Sequence, residues 1–298
     1  MEDKRKKKIV THSSKFHSDD IFAVATLLLV LEKEGIETEV IRSRDLEIIK
    51  SADYVVDVGF IYDESKNLFD HHQEGGAGER ENKIPFSSFG LVWKKYGINL
   101  CDNIDIANKV DKVLVQPIDA NDNGIQLIET RIKDTYPFTI SDIVYTFRPT
   151  WKEINNLDNI FIQLVSYAKV LISRQIICIK DEEEAGVKVI EAYEKSVDKR
   201  IIILDERYPW EEALSKFPEP LFVIYKKRVD DTWSLKTVQD QIYTDRKSLP
   251  ESWAGKTDKE FEKITGVEGV VFCHRNRFIA VAKTKEAILK LADIALNN

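Results

Sequence analysis

The sequence predicts an α/β protein in which an N-terminal domain with a mainly parallel sheet and flanking helices precedes a smaller α+β domain. Three observations lead there. Short apolar runs alternate with helical periodicity through the first half, as strands joined by crossover helices do. Residues 154–196 read as mostly helical and end in the acidic–basic surface helix DEEEAGVKVIEAYEKS. From KRIIILDE at 199 onward, strand-like runs and turns follow one another closely. The boundary falls where that texture changes, giving domains 1–197 and 198–298.

The elements follow in order. KKIVTH (7–12) is a strand; Ser18 is placed to cap a helix from Asp19 to about Glu34, with carboxylates in its first turn and Gly35 as its stop. TEVIRS is a second strand, DLEIIKSA a short helix, DYVVDVG a third strand and NLFDHH a short fourth. SSFGLVWKKYG and NIDIANKVDKVLVQPIDA are helical, with Pro117 close to the end of the second. In the second domain IIIL, LFVIY, WSLKTVQ, VEGVVFCH and FIAVA are strands, and TKEAILKLADIAL closes the chain as a helix.

Bulk properties narrow the function. The 298 residues are 43% hydrophobic and 32% charged, ordinary for a globular protein with a real core. No uninterrupted apolar run approaches the ~18 residues of a membrane span, so no membrane partner is expected. The opening MEDKRKKKIV lacks the apolar stretch of a secretory signal, and its KRKKK reads as a solvated basic run in preference to a nuclear address. Cys101, Cys178 and Cys273 are odd in number and widely spaced, which fits a reducing compartment: cytoplasmic, or nuclear or mitochondrial in a eukaryote. A net charge of −7 argues against coating long nucleic acid by phosphate neutralisation, so an anionic substrate must be held locally.

The chain has five histidines, and four of them sit in THSSKFHSDD (11–20) and FDHHQ (69–73). His12 ends the first strand, with His17 and Asp19 in the loop beyond it; Asp57 closes VVDVG; Asp70, His71 and His72 end the fourth strand. Ligands of open α/β sheets gather at those carboxyl ends. A lone aspartate there is usually a turn residue or helix cap, and an HH pair is often a surface accident. Mixed His and Asp at three successive strand ends is instead the composition of a metal site. Imidazole with carboxylate and no thiolate suits Mn2+ first, then Co2+, Fe2+ or Zn2+, or Mg2+ with waters completing its shell. The number of acidic groups favours two ions, with Asp57 as the bridge; ions about 3.5–4 Å apart clamp the attacking and leaving oxygens of a phosphoryl transfer. QPIDANDNG (116–124) adds Asp119, the favoured further ligand, and Asp122, which is either support or part of an Asn-Gly turn.

These motifs resemble the DHH phosphoesterase superfamily, which includes family II inorganic pyrophosphatases and RecJ-like exonucleases. More closely, THSSKFHSDD, VVDVG, FDHHQEGGAGER, PFSSFGLVWKKYG, IDANDNG, LPESWAG and VFCHRNRFIA together resemble the melanocyte-proliferating-gene (Myg) family, through nearly the whole chain. The resemblance implies a metal-dependent 3′→5′ exonuclease acting on RNA. It implies metal binding by His12, His17, Asp19, Asp57, His71 and Asp119, with Asp57, Asp70, His71 and His72 as the catalytic group. Within that group His72 faces the substrate phosphate and Asp70 orients a histidine. Two departures stand out: Ser14 and Asp20 replace a glycine and a glutamate of the THSGKFHADE-like pattern. His17 also stands where the wider superfamily usually has a carboxylate, which puts strict Mg2+ use in doubt.

In the second domain His274, Arg275, Asn276 and Arg277 cluster in FCHRNRFIAVAKTK, guanidinium forks suited to phosphate. By the resemblance this segment grips substrate, and the glycine-rich GGAGER is read as a flexible loop that orders around substrate with Glu79 or Arg80 entering the cleft. A solvated hairpin and a plain surface turn are the bland readings of the two. Trp253 and Phe278 are candidates for base stacking, although core packing is the commoner use of each. The expected function is phosphodiester hydrolysis on RNA or a short oligonucleotide. The alternatives are a hydrolase of small phosphates such as pyrophosphate or dinucleotides, and a non-catalytic metal-binding protein. Whether the chain forms a homodimer is left open.

Overall fold

The computed structural model describes residues 5–153, 156–241 and 244–298. Lys4 of the basic N-terminal run, and Ile154 and Asn155 at the opening of the helical stretch, lie outside the described residues. Contacts divide the chain into two units, Met1–Ile179 and Lys180–Asn298. That division lies inside a long helix, Leu157–Lys195, while the change of texture near 198 marks the helix's end. The reason is packing: Phe161, Leu164, Val165, Ala168, Ile172, Ile176 and Ile179 belong to the first unit's core, whereas Val189 belongs to a core of the second.

The first unit contains β1 (Lys7–Thr11), α1 (Ser18–Lys33), β2 (Thr38–Arg42), α2 (Leu46–Lys50), β3 (Tyr54–Val56), β4 (Tyr62–Asp63), β5 (Leu68–Phe69), α3 (Ser88–Cys101), α4 (Ile104–Val110), α5 (Gln116–Asp122), α6 (Ile140–Thr146) and the start of α7 (Leu157–Lys195). Its sheet runs β2-β1-β3-β5-β4, parallel except where β4 pairs antiparallel with β5. The expected strands and crossover helices are present, and the two-residue β4 is an addition. α1 is apolar nearly all round, with Ile21, Phe22, Val24, Leu27, Val30 and Leu31 buried, because it is enclosed between the sheet and α3.

Two local expectations change. Ser18 is the first residue of α1 and His17 is its N-cap; Asp20 accepts the His17 N–H at 2.9 Å, and the Ser18 hydroxyl instead hydrogen-bonds the Ser141 hydroxyl at 2.8 Å. Pro117 lies in the first turn of α5 rather than near a helix end. A π-helical segment, Asp111–Val115, precedes it, and the Gln116 N–H reaches back to the Asp111 carbonyl. The widened turn accommodates the ring and missing N–H of proline, so the helix continues to Asp122.

The second unit contains β6 (Ile201–Leu204), α8 (Glu211–Ser215), β7 (Phe222–Lys226), β8 (Trp233–Thr237), β9 (Gln239–Gln241), β10 (Thr244–Asp245), α9 (Asp258–Thr265), β11 (Val270–Cys273), β12 (Ile279–Ala282) and α10 (Lys285–Asn297). Its main sheet runs β11-β12-β8-β7-β6, with only β6 and β7 parallel. Ile288, Leu291, Ala292 and Ala295 are spaced as one helix face, and they bury α10 against the core of this sheet. α7 contains a window of mean hydropathy 1.4, long and apolar enough by length and composition to cross a membrane; a third of that window is buried within the protein.

Candidate metal centre

β1, β3 and β5 are neighbours in the sheet, so the segments leaving their carboxyl ends emerge side by side. After β1 the chain turns through Ser14 at φ +77°, the left-handed region that favours glycine, at the position where the family pattern has glycine. His12 and His17 flank that turn with ring centroids 5.8 Å apart. After β3, Asp57 also takes a left-handed backbone, φ +56°, which an aspartate tolerates better than most side chains. After β5 come Asp70, His71 and His72.

Asp57 reaches both ways. Its Oδ2 lies 3.2 Å from His12 Nε2 and its Oδ1 lies 3.3 Å from His71 Nε2. His12 Nε2 is also 3.0 Å from Asp20 Oδ2, and His71 Nε2 is 3.2 Å from Asp122 Oδ2 and 3.7 Å from Asp19 Oδ2. Despite these approaches, His12 Nε2, His71 Nε2, Asp20 Oδ2 and both Asp19 oxygens are buried without a properly directed hydrogen bond. Buried polar atoms normally have such partners. Here they approach one another without hydrogen-bond geometry, as donors converging on a shared cation do.

Among the described residues, three overlapping groups could each hold a metal ion, with donor atoms within 4.8 Å of one another: His12, His17 and Asp57; His17, Asp19 and Asp122; Asp57, His71 and His72. This donor set fits a divalent metal. Electrostatics agree. Burial, then the nearby charges of Asp57, Asp122 and Asp20, pushes Asp19 well above the ordinary carboxylate range. Burial opposes charge on His12, but Asp20 and Asp57 outweigh it and push its pKa up to about 10; Asp122 and Asp57 do the same for His71, also to about 10. Burial likewise opposes charge on Asp57, yet His12 and His71 hold it below the usual carboxylate range. Without a cation, the imidazoles carry protons that offset the crowded carboxylates.

Asp70 stands beside this cluster. It accepts the Phe60 N–H at 2.6 Å, the His72 N–H at 3.0 Å and lies 2.9 Å from His72 Nδ1, so it orients that ring. The same contact raises the His72 pKa above its ordinary value. His72 is half-exposed.

Asp119 is elsewhere. The expectation of a fourth-motif ligand at this position is corrected by its partners: Arg80 Nη1 at 2.7 Å, the Ser87 hydroxyl at 2.5 Å and the Gly90 N–H at 3.0 Å. Asp122, one turn on, is the α5 carboxylate that meets His71. Arg80 is corrected with it. Its guanidinium binds Asp111 through two bonds, 3.1 and 2.7 Å, as well as Asp119, and lies over the Phe86 ring at 4.3 Å, so it is not free to grip substrate. Gly90 is required here: a Cβ would sit 2.0 Å from Asp119 Oδ2.

In the second unit His274, Arg275 and Arg277 occupy the β11–β12 hairpin loop. His274 Nδ1 accepts the Asn276 N–H at 3.1 Å, and its ring lies 4.5 Å from Phe278. Arg275 is exposed and Arg277 half-buried. Trp253 is 2% exposed and packs edge-on against Phe261 at 5.5 Å, so it is a core residue rather than a stacking platform. Residues that sequence reasoning passed over are Asp20, which touches His12 and caps α1, and Arg148, treated below. The capping pattern around Asp20 was a usable local signal.

A family model described as Uncharacterised protein family (UPF0160), and carrying the MYG1 exonuclease label, matches residues 8–296. The chain belongs to this MYG1 family. MYG1 proteins of Dictyostelium discoideum and Saccharomyces cerevisiae are 31% and 32% identical to it; they cover 97% and 98% of this chain, which covers 96% of each. The MYG1 exonuclease of Homo sapiens is 27% identical, covering 97% of this chain, which spans 85% of that relative. Among solved structures, exonuclease RecJ bound to manganese aligns over 98% of this chain and 91% of its own, at 12% identity and a TM-score of 0.29, too weak a likeness to argue from.

Proposed function

We propose that this MYG1-family protein is a divalent-metal-dependent phosphodiesterase that acts as a 3′→5′ exonuclease on RNA. The observation that carries the reading is the set of buried, hydrogen-bond-starved His and Asp atoms around Asp57. Two ions, Mn2+ first among the candidates, would be held by His12, His17, Asp19, Asp57, His71 and Asp122. The two oxygens of Asp57, each turned to a different histidine, would suit it to hold both ions. Such a pair supplies positive charge for the transition state and lowers the pKa of an attacking water. Asp20 steadies His12 and the start of α1. His72, kept basic by Asp70, donates from Nε2 to a phosphate oxygen, where charge develops. The similarity to the MYG1 exonucleases of Homo sapiens and Mus musculus supports the exonuclease activity. The odd number and wide spacing of Cys101, Cys178 and Cys273 are consistent with a reducing, cytoplasmic setting.

The test is digestion of a labelled oligoribonucleotide with Mn2+. Mononucleotides should appear from the 3′ end, and Asp57→Asn should abolish them; turnover that is indifferent to metal, or that survives this substitution, contradicts the reading. The charge of −7 favours a second substrate class, small phosphate compounds. Comparing two-nucleotide with twenty-nucleotide substrates separates the two.

A further inference from the structure

We propose that Arg148 is a substrate-phosphate ligand of this centre, an inference that rests on the phosphodiesterase reading above. Arg148 follows α6 and reaches the loop that carries His17. One terminal nitrogen of its guanidinium donates to the Phe16 carbonyl, one residue before His17. The guanidinium carbon lies 4.2 Å from the centroid of Tyr145 and 5.9 Å from that of Phe16, so the fork is held between aromatic rings. α6 itself is tied to the centre: the Ser141 hydroxyl bonds Ser18, and the Tyr145 hydroxyl is 3.5 Å from Asn121, the neighbour of Asp122.

What this arginine leaves undone points to its ligand. Its field is felt by His17, and it feels Asp20 and Asp122. Yet its hydrogen bond goes to a backbone carbonyl rather than to a carboxylate among the described residues, and its Nε is buried without a hydrogen-bond partner. A buried, unsatisfied guanidinium nitrogen costs stability unless something accepts from it. Charge explains what that should be. Asp19, Asp20, Asp57, Asp70 and Asp122 contribute five carboxylates, which two divalent ions and a protonated His72 would bring only to about neutral. An incoming phosphodiester adds negative charge that a further cation would meet. Arg148 supplies that cation in fork geometry, which suits two phosphate oxygens better than a lysine's single point charge. The sequence carries a matching signal, since Arg148 lies among Tyr136, Phe138, Tyr145, Phe147 and Trp151, all exposed, the aromatic–basic interleaving of single-strand binders.

The experiment compares wild type, Arg148→Ala, Arg148→Gln and Arg148→Lys. Titration calorimetry measures binding of Mn2+, then of inorganic phosphate to the Mn2+-loaded protein; KM and kcat are measured on bis(p-nitrophenyl) phosphate. Loss of a charge-assisted fork should weaken phosphate binding and raise KM about ten- to hundredfold in the Ala and Gln variants, with partial recovery in the Lys variant. Mn2+ affinity should hold or tighten, because a cation has left the vicinity of Asp20 and Asp122. Unchanged phosphate affinity overturns the proposal. So does a parallel loss of Mn2+ affinity, which would make Arg148 a strut for the Phe16 carbonyl. The Gln variant, shorter and uncharged, keeps a polar amide with two N–H donors, so the comparison survives if the Ala variant fails to fold. Arg148-dependent phosphate binding without turnover on any ester would sink the functional reading alone. Turnover indifferent to Arg148 would sink this inference alone.

Discussion

Asp119 and Asp122 lie three residues apart on α5, and replacing each with asparagine should damage different properties. In Asp119→Asn an acceptor-only group becomes an amide with one acceptor and two donors. The three donors around it, Arg80 Nη1 at 2.7 Å, Ser87 Oγ at 2.5 Å and Gly90 N at 3.0 Å, cannot all be answered. Removing one partner of a buried ion pair costs about 3–5 kcal/mol. Arg80 keeps both of its bonds to Asp111, so the loss should fall near the lower end, about 3 kcal/mol, or about 6–12 °C in Tm. Mn2+ affinity should not change, since Asp119 contacts none of the clustered histidines. Asp122→Asn should do the reverse. The metal-free protein should melt close to wild type, because the lost contact with protonated His71 is offset by relief of the repulsion on Asp19. Mn2+ binding should weaken by at least about tenfold, as the loss of a group that contacts His71 implies. Thermal melts in EDTA, with Mn2+ calorimetry on the same preparations, read both properties. An Asp119→Asn protein that melts normally but no longer binds Mn2+ would refute the assignment.

Three further outcomes are expected. Metal binding needs neutral imidazole, and His12 and His71 hold their protons up to about pH 10 in the metal-free protein. Mn2+ affinity should therefore rise with pH from 6 to 8 and fall on acidification; calorimetry in buffers of different ionisation enthalpy should record proton release, and none would contradict the shifts. Mn2+ at about 100 times its Kd should stabilise the fold by about 2.7 kcal/mol, read as a rise in urea midpoint that EDTA reverses. Gly90→Ala places a Cβ 2.0 Å from Asp119 Oδ2 and 2.9 Å from Phe86 Cδ1. It should cost about 3 kcal/mol, at the upper end for overpacking, and an unchanged urea midpoint would show that α3 moves freely there.

The sequence by itself determined the order of the main strands and of the helices between them, because apolar periodicity and caps are local properties that a linear reading captures; the short β4, β9, β10, α8 and α9 carry too few residues to show a period. It also determined that His and Asp collect at neighbouring strand ends, since a parallel sheet with crossover helices places those ends together. Which groups actually meet was decided by the tertiary structure. Asp119 and Asp122 carry the same chemistry on one helix; the choice between them depends on Arg80, brought in from a distant loop, and on Gly90, which leaves room for the Asp119 carboxylate. The π-helical turn before Pro117, which lets α5 continue to Asp122, left no mark that composition could show. The aromatic–basic run around Arg148 is visible in sequence, but its meaning lies in the ion pairs it does not make, and an unmade contact exists only between surfaces that folding has brought together.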